Sequence, residues 1–214
     1  TFFIESPFVI VITIVLLFLG VNGKNINRID GAILWMFFLV FLYYLYRLTK
    51  KGDDSAIDDV PELDQNDRLW KLIIMIVLGI ICVVVGSQVT VDAASSIAKE
   101  FGVSDRIIGL TIVSIGTSLP ELVTSVNASL KGRNDIAIGN IIGSNIFNIL
   151  FVLGTAALVA PRGIPFASGF MLDGVIAIAA VVLFMLFVGK DMKLKKYGAF
   201  VMLISYICYV VYIL

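Results

Sequence analysis

Six hydroxyl or carboxyl side chains recur at helical spacing within an apolar stretch in the middle of the chain. They are Thr111, Ser114, Thr117, Ser118, Glu121 and Ser125. Their offsets of about three, four and seven residues place them along one face of an α-helix. An ionisable residue at membrane depth indicates a functional site. The stripe therefore predicts a helix that turns one polar side toward protein, water or ions.

Pro120 lies within this stripe and predicts a break in the helix. Proline has no N–H to donate to the carbonyl of Gly116, and its ring opens the helix at that turn. We therefore expect one or two backbone carbonyls near Gly116 and Thr117 to become free acceptors. Carbonyl, hydroxyl and carboxylate oxygens that converge in this way form the kind of cage that hard cations prefer.

A second apolar stretch carries amide and hydroxyl oxygens at similar spacing. Asn140, Ser144 and Asn148 are four residues apart, and Asn145 precedes Asn148 by three. Such side chains also join membrane helices by hydrogen bonds without any ligand. Neither stretch contains a Lys or Arg that could pair with Glu121, which favours the ligand interpretation for that acid. The purely structural interpretation applies at least equally to four residues: Thr111, Ser125, Asn140 and Asn145.

The composition of the 214-residue chain is that of a polytopic membrane protein. Apolar residues make up 59%, the mean hydropathy is +1.02, and charged residues make up 15%, well below the roughly 25% of soluble domains. The net charge is zero, so no basic surface indicates a nucleic-acid partner. Histidine is absent, which removes the commonest zinc ligand and general base.

Seven apolar runs have lengths that favour transmembrane helices. They are Ile4–Val21, Gly31–Tyr46, Leu69–Ala98, Ile107–Leu130, Ile136–Ala160, Ala167–Val188 and Tyr197–Leu214. The fold class predicted is thus an all-α polytopic membrane protein with seven transmembrane helices. Three regions follow: residues 1–48 with two helices, the acidic linker 49–68, and residues 69–214 with five helices.

Positive charge predicts the orientation of these helices. Alternate connections carry 5 and 11 Lys and Arg residues, and the richer set is expected on the cytoplasmic side. This places the linker 49–68 in the cytoplasm and Leu214 outside the cell membrane. The seven acids of the linker do not follow the EF-hand pattern and favour a solvated connector.

Two segments match a known family. GTSLPELVTS (116–125) and, after a short turn, IGNIIGSNIFN (138–148) resemble the second α-repeat of the calcium/cation antiporter superfamily, which includes the sodium/calcium exchangers. The resemblance is strong over 69–214, whereas the first two helices fit by position only. It implies a ten-helix fold of two inverted halves. The G-x-S-x-P-E pattern occurs once, and the chain begins with Thr1, so we expect a fragment covering helices four to ten. Residues 1–48 would then be the last two helices of the N-terminal half, and the part with the first motif pair would be missing or lie on a separate chain.

The resemblance also implies a ligand set and a mechanism. The ligands would be Glu121, Thr117, Ser118, the backbone of Ser114, and Ser144 and Asn148 on the facing helix. Many relatives carry Asp where this chain has Asn148, which leaves the ion stoichiometry open. Exchange of Ca²⁺ for Na⁺ by alternating access is expected, with no organic cofactor and no enzymatic activity.

Three other functions are compatible with the residues. A Ca²⁺/H⁺ exchanger would use Glu121 to carry the proton, and K⁺ is a further candidate co-ion. A second function is that of a membrane protein half that assembles with its partner half and transports nothing by itself, which is what a fragment would literally be. An intramembrane hydrolase is disfavoured because Glu121 has no oriented nucleophile–base pair within the motif.

Overall fold

The computed structural model describes residues 2–50, 69–103, 105–167, 169–189 and 193–213, and these are almost entirely helical. The α-helices are α1 (Phe2–Gly23), α2 (Arg28–Lys50), α3 (Leu69–Glu100), α4 (Asp105–Ile108), α5 (Ser114–Thr117), α6 (Leu119–Leu130), α7 (Asn134–Phe147), α8 (Gly154–Val159), α9 (Gly169–Phe187) and α10 (Lys196–Ile213). Two π-helical segments, Gly109–Val113 and Asn148–Leu153, and two short strands, β1 (Asn25–Ile26) and β2 (Ile164–Pro165), complete the elements.

Length and hydropathy make five of the described helices candidates to cross a membrane. They are Phe2–Gly23, Arg28–Lys50, Trp70–Glu100, Asn134–Val159 and Gly169–Phe187, and the apolar helix Lys196–Tyr212 is shorter. The chain is therefore an all-α membrane protein with about five to six span candidates among the residues that the structure describes.

The sequence predicts seven transmembrane helices, and the predicted run that is absent from these span candidates is the fourth, Ile107–Leu130. That run is divided into α4, a π-helical segment, α5 and α6, with Ser118 between the last two. The physical reason for the break at Ser118 is Pro120, which has no N–H for the hydrogen-bond ladder. The predicted linker 49–68 also begins later, because α2 continues through Lys50, and residues 51–68 lie outside the described part of the chain.

The described residues within Thr1–Gly52 and Ala128–Tyr209 form one compact unit, and those within Asp53–Asn127 and Val210–Leu214 form a second. The core of the first unit contains aliphatic and aromatic side chains of α1, α2, α7 and α9. Ile12, Leu34 and Ile146 are fully buried there. Trp35 of α2 lies with its ring centroid 5.1 Å from that of Phe151. These contacts fix α2 against the helix that carries Ser144 and Asn148.

Glycines allow close approach of α2 and α8 in the same unit. A Cβ added to Gly31 would lie 2.8 Å from the carbonyl oxygen of Gly154 and 3.0 Å from the Cβ of Ala157. The indole Nε1 of Trp35 donates to the hydroxyl of Thr155 at 3.1 Å. Small residues and a cross-helix hydrogen bond are the usual means of helix association in a membrane.

One end of the first unit is fixed by a short ribbon and a helix cap. Strands β1 and β2 pair antiparallel, with Ile26 opposite Ile164. At the start of α2 the side chain of Asn27 accepts from the backbone N–H of Ile29 at 2.7 Å and of Asp30 at 3.2 Å, and Asp30 accepts from the N–H of Asn27 at 2.8 Å. This reciprocal pattern is a capping box with Asp in the place of Glu.

The second unit contains α3 and the motif segments up to Asn127. Gly116 is buried, and a Cβ at this position would overlap Cγ2 of Val91 on α3. Gly116 therefore packs the motif segment directly against α3.

The C-terminus of α3 ends in a Schellman cap. Gly102 has φ +75°, and the N–H of Val103 donates to the carbonyl of Ala98 at 3.0 Å. This cap requires the left-handed conformation that glycine adopts most easily.

Candidate cation site

The polar stripe is interrupted at Ser118, one residue before α6 begins. Ser118 has φ −94° and ψ 2°, outside the helical region, and its N–H donates to the carbonyl of Ile115 at 3.0 Å. The break predicted from Pro120 is therefore present. The expected free carbonyl at Gly116 is not, because backbone N–H groups at this cap donate to the carbonyls of Ile115 and Gly116. The chain tightens into a three-residue turn, and this satisfies the carbonyl that Pro120 cannot reach.

Thr117 uses its proton within its own helix. Its hydroxyl donates to the carbonyl of Ser114 at 3.1 Å, and the exposed side chains of Ser114 and Ser118 lie within one turn of it. A hydroxyl whose hydrogen is held by a carbonyl presents its lone pairs to other groups. The oxygen of Thr117 is therefore oriented as an acceptor, which is the orientation that a cation requires.

Glu121 lies in the first turn of α6, directly after the break. The residue is partly buried, and its Oε2 atom is screened from solvent. A carboxylate in the first turn is also favoured by the exposed N–H groups and dipole of the helix. The break therefore places the acid of the motif beside irregular backbone. Ser114, Thr117, Ser118 and Glu121 all belong to the second unit.

Ser144 and Asn148 belong to the first unit and lie one turn apart on the helix that begins at Asn134. The hydroxyl of Ser144 donates to the carbonyl of Ile141 at 3.0 Å, and the amide of Asn145 donates to the same carbonyl at 2.8 Å. Asn148 is exposed. Ser144 thus also presents oxygen lone pairs, whereas Asn145 is tied to its own helix backbone. The facing of Ser144 and Asn148 toward Glu121 stays a prediction.

The two π-helical segments are features that sequence reasoning missed. Gly109–Val113 ends immediately before Ser114, and Asn148–Leu153 begins at Asn148. A π-helical turn accommodates one extra residue and changes the direction of the side chains that follow, and such turns are frequent at functional sites. Neither segment has a distinguishing side-chain pattern, so spacing counted at 3.6 residues per turn gives no signal for them.

A site built only from carboxylates and imidazoles is not present in the part of the chain that the structure describes. No group of three or more His, Cys, Asp and Glu side chains comes together there. A cation would instead be held by one carboxylate with hydroxyl, amide and carbonyl oxygens. Six to eight oxygens are usual for Ca²⁺, so the four predicted ligand residues of the second unit would supply only part of such a shell.

Comparison with known proteins gives consistent matches. The sodium/calcium exchanger protein family matches residues 71–214. The chain is 36% identical over 211 residues to "Putative antiporter CaxA" of Alkalimonas amylolytica, covering 96% of this chain and 66% of that protein. It is 37% identical over 164 residues to inner membrane protein YrbG of Escherichia coli, covering 73% and 50%. It is 44% identical over 114 residues to sodium/calcium exchanger MaX1 of Methanosarcina acetivorans, covering 53% and 32%.

The chain spans between about a third and two thirds of the length of these relatives. No solved structure matches it. The family match covers more than half of the chain and includes both motif segments, so it confirms the resemblance drawn from 116–125 and 138–148. It is a family of transporters rather than of enzymes, which argues against the hydrolase interpretation. The chain belongs to the sodium/calcium exchanger protein family.

Proposed function

We propose that this chain provides one half of the cation site of a secondary antiporter that exchanges Ca²⁺ for Na⁺ by alternating access. The observation that carries the proposal is the position of Glu121. This carboxylate lies at a break in an apolar segment that carries one stripe of polar side chains. A charged side chain at membrane depth is costly and is retained where it serves ions or substrates. The names of relatives, an antiporter and a sodium/calcium exchanger, agree with that chemistry.

The ligand set proposed is Glu121, Thr117, Ser118 and the Ser114 carbonyl, completed by Ser144 and Asn148. Thr117 and Ser144 support it because both hydroxyls donate to backbone carbonyls and so present lone pairs. The carbonyl of Ser114 accepts the Thr117 proton with one of its two lone pairs, which leaves the other for an ion. Asn148 supplies an oxygen without charge.

Charge balance indicates that this half-site is incomplete. Glu121 contributes one negative charge and Asn148 none, whereas Ca²⁺ carries two positive charges. Neutralisation therefore needs a second acid, which we place in the matching N-terminal half that the inverted-repeat fold implies. Inverted repeats of this kind build their ion sites near the bilayer midplane, at the interface between the halves. Two or more Na⁺ ions would compete for the same oxygens, and this competition couples the two fluxes.

The proposed arrangement in the cell membrane keeps seven transmembrane helices, with 69–214 as the five-helix half. The linker 49–68 is placed in the cytoplasm and Leu214 outside, on the distribution of Lys and Arg. Helix α3 would be the sliding helix of this half. Its membrane-length window has no buried residues, which suits a helix that moves against lipid.

Sodium-driven uptake tests the proposal. The chain, together with any sequence that flanks it in its gene, is reconstituted into liposomes loaded with Na⁺ and diluted into Na⁺-free buffer that contains ⁴⁵Ca²⁺. Uptake should require the outward Na⁺ gradient and should disappear when N-methylglucamine replaces Na⁺ inside. Uptake that is indifferent to Na⁺ would refute the proposal.

Ca²⁺/H⁺ exchange is the second candidate, because Glu121 could carry a proton. Imposing a pH gradient without Na⁺ on the same liposomes separates the two. Uptake driven by the pH gradient alone would favour the proton exchanger, while adding K⁺ to the Na⁺-driven assay tests its role as co-ion.

A further inference from the structure

A cavity of about 930 Å³ lies within the first unit and has no part in the cation site. Its described lining comes from α1, β1, the helix 134–159, β2 and Phe166, α9, and Leu194 with α10. Its size is in the range of small-molecule sites, which are about 300–1,000 Å³. The lining is predominantly aliphatic and aromatic, so an occupant must be largely apolar.

Three described lining residues have polar side chains, and two of them are used by their own helices. The hydroxyl of Thr13 donates to the carbonyl of Val9 at 2.7 Å, and the amide of Asn145 donates to that of Ile141 at 2.8 Å. The third is Asp173. It accepts a hydrogen bond from the hydroxyl of Tyr209 on α10 at 2.8 Å, through Oδ1. Because an ionised carboxylate has about four acceptor positions, Asp173 retains capacity for a further donor.

Asp173 lies near the N-terminal end of α9, as its fifth residue, and lines the cavity together with Ile26 of β1 and Pro165 of β2. Further along α9 the lining continues to Phe184. Phe184 lies eleven positions after Asp173, which is roughly 16 Å at 1.5 Å per residue. This distance is close to half of the ~30 Å hydrocarbon core, the depth of one leaflet.

An apolar lining that runs about the depth of one leaflet along a membrane-length helix, with a carboxylate near the start of that helix, has the length and charge pattern of a lipid site. We propose that it binds one chain of a phospholipid whose head group is a primary ammonium, as in phosphatidylethanolamine. The acyl chain lies along α9 toward Phe184, and the ammonium donates to Asp173 beside the Tyr209 hydroxyl. A choline head group has no N–H to donate, and a glycerol head group has no positive charge.

Lipid retention measured by native mass spectrometry tests this proposal. The chain with any flanking sequence of its gene is purified in detergent and offered equal amounts of phosphatidylethanolamine, phosphatidylcholine and phosphatidylglycerol with identical acyl chains. We expect phosphatidylethanolamine to be retained roughly three- to fivefold over phosphatidylcholine, the effect of one partly exposed ion pair. Equal retention of the three lipids would overturn the proposal.

Variants separate the head-group contact from the tail contact. Asp173→Asn should reduce the preference to about one, whereas Asp135→Asn, a carboxylate of α7 outside the lining, should leave it unchanged. Ala177→Trp fills the cavity from α9 and should reduce retention of all three lipids. If Asp173→Asn still prefers phosphatidylethanolamine, or if Ala177→Trp still retains the lipids, the proposed lipid site is refuted.

Cross-linking of the unaltered protein keeps the test independent of how the variants fold. Phosphatidylethanolamine with a photoactivatable acyl chain should label lining residues such as Ile149 and Val181. Labelling confined to lipid-exposed surfaces such as α3 would contradict the proposal. So would cross-links showing that another segment of the full protein, or a second copy, fills the cavity.

Discussion

Substitution of Gly116 by Ala tests how the motif segment is held against α3. In the structure a Cβ at position 116 would overlap Cγ2 of Val91, and the Cβ and Cγ1 of Val91 would lie at 3.3 and 3.7 Å. Val91 is 9% exposed, and a β-branched side chain in a helix has one strongly preferred χ1 rotamer. The side chain therefore cannot rotate away cheaply, and the two segments must separate.

The expected cost is that of inserting one methyl group into a packed contact, about 1–3 kcal/mol. This corresponds to a roughly five- to 150-fold change in the unfolding equilibrium, at about 1.4 kcal/mol per factor of ten. Glycine to alanine inside a helix is otherwise stabilising, by up to ~1 kcal/mol. The sign of the effect therefore distinguishes a steric clash from ordinary helix propensity.

SDS-induced unfolding in mixed micelles, followed by circular dichroism, measures this change. Gly79→Ala is the matched control, because a Cβ there meets nothing within 4 Å, and it should be neutral or stabilising. Val91→Ala removes the overlapping methyl, so Gly116→Ala should cost little in that background. Equal unfolding midpoints for Gly116→Ala and Gly79→Ala, or the lack of rescue by Val91→Ala, would refute the packing described here.

Three further substitutions have defined expectations. Asn27→Ala removes the capping box of α2 and should lower the free energy of unfolding by about 1 kcal/mol, measured in the same SDS titration; an unchanged midpoint would contradict the cap. Gly31→Ala places a methyl 2.8 Å from the carbonyl oxygen of Gly154 and should destabilise by about 1–3 kcal/mol, whereas Gly23→Ala, with open space around it, should not. Asn148→Asp adds a negative charge to the proposed ligand set and should lower the Ca²⁺ concentration for half-maximal exchange, since ligand charge raises affinity; an unchanged value would exclude Asn148 from the site.

The helical segments and the break at Ser118 could be predicted from the sequence because each depends on local chemistry. Long apolar runs have to be helical in a bilayer, where every backbone polar group must be satisfied. Pro120 interrupts a helix wherever it occurs in the interior. The position of Glu121 directly after the break follows from the same residue.

Other features depend on small adjustments of the helical backbone or on contacts between distant residues, and these could not be predicted in this way. The carbonyl of Gly116 was expected to be free, but the local turn supplies a donor to it. The hydrogen bond between Asp173 and Tyr209 joins residues 36 positions apart, and no spacing rule connects them. The π-helical segments beside Ser114 and Asn148 depend on a small change in helical twist that no side chain specifies.

The central claim is that Glu121 binds the transported cation, and its replacement by Gln tests this most directly. Gln keeps the size of the side chain and removes its negative charge. Glu100→Gln, an exposed carboxylate at the end of α3, is the matched control. Both variants are purified with any flanking sequence of the gene, checked for an unchanged unfolding midpoint, and assayed for Na⁺-driven ⁴⁵Ca²⁺ uptake. We predict that Glu121→Gln falls to the level of empty liposomes while Glu100→Gln retains the unaltered rate; exchange at the unaltered rate in Glu121→Gln would contradict the account.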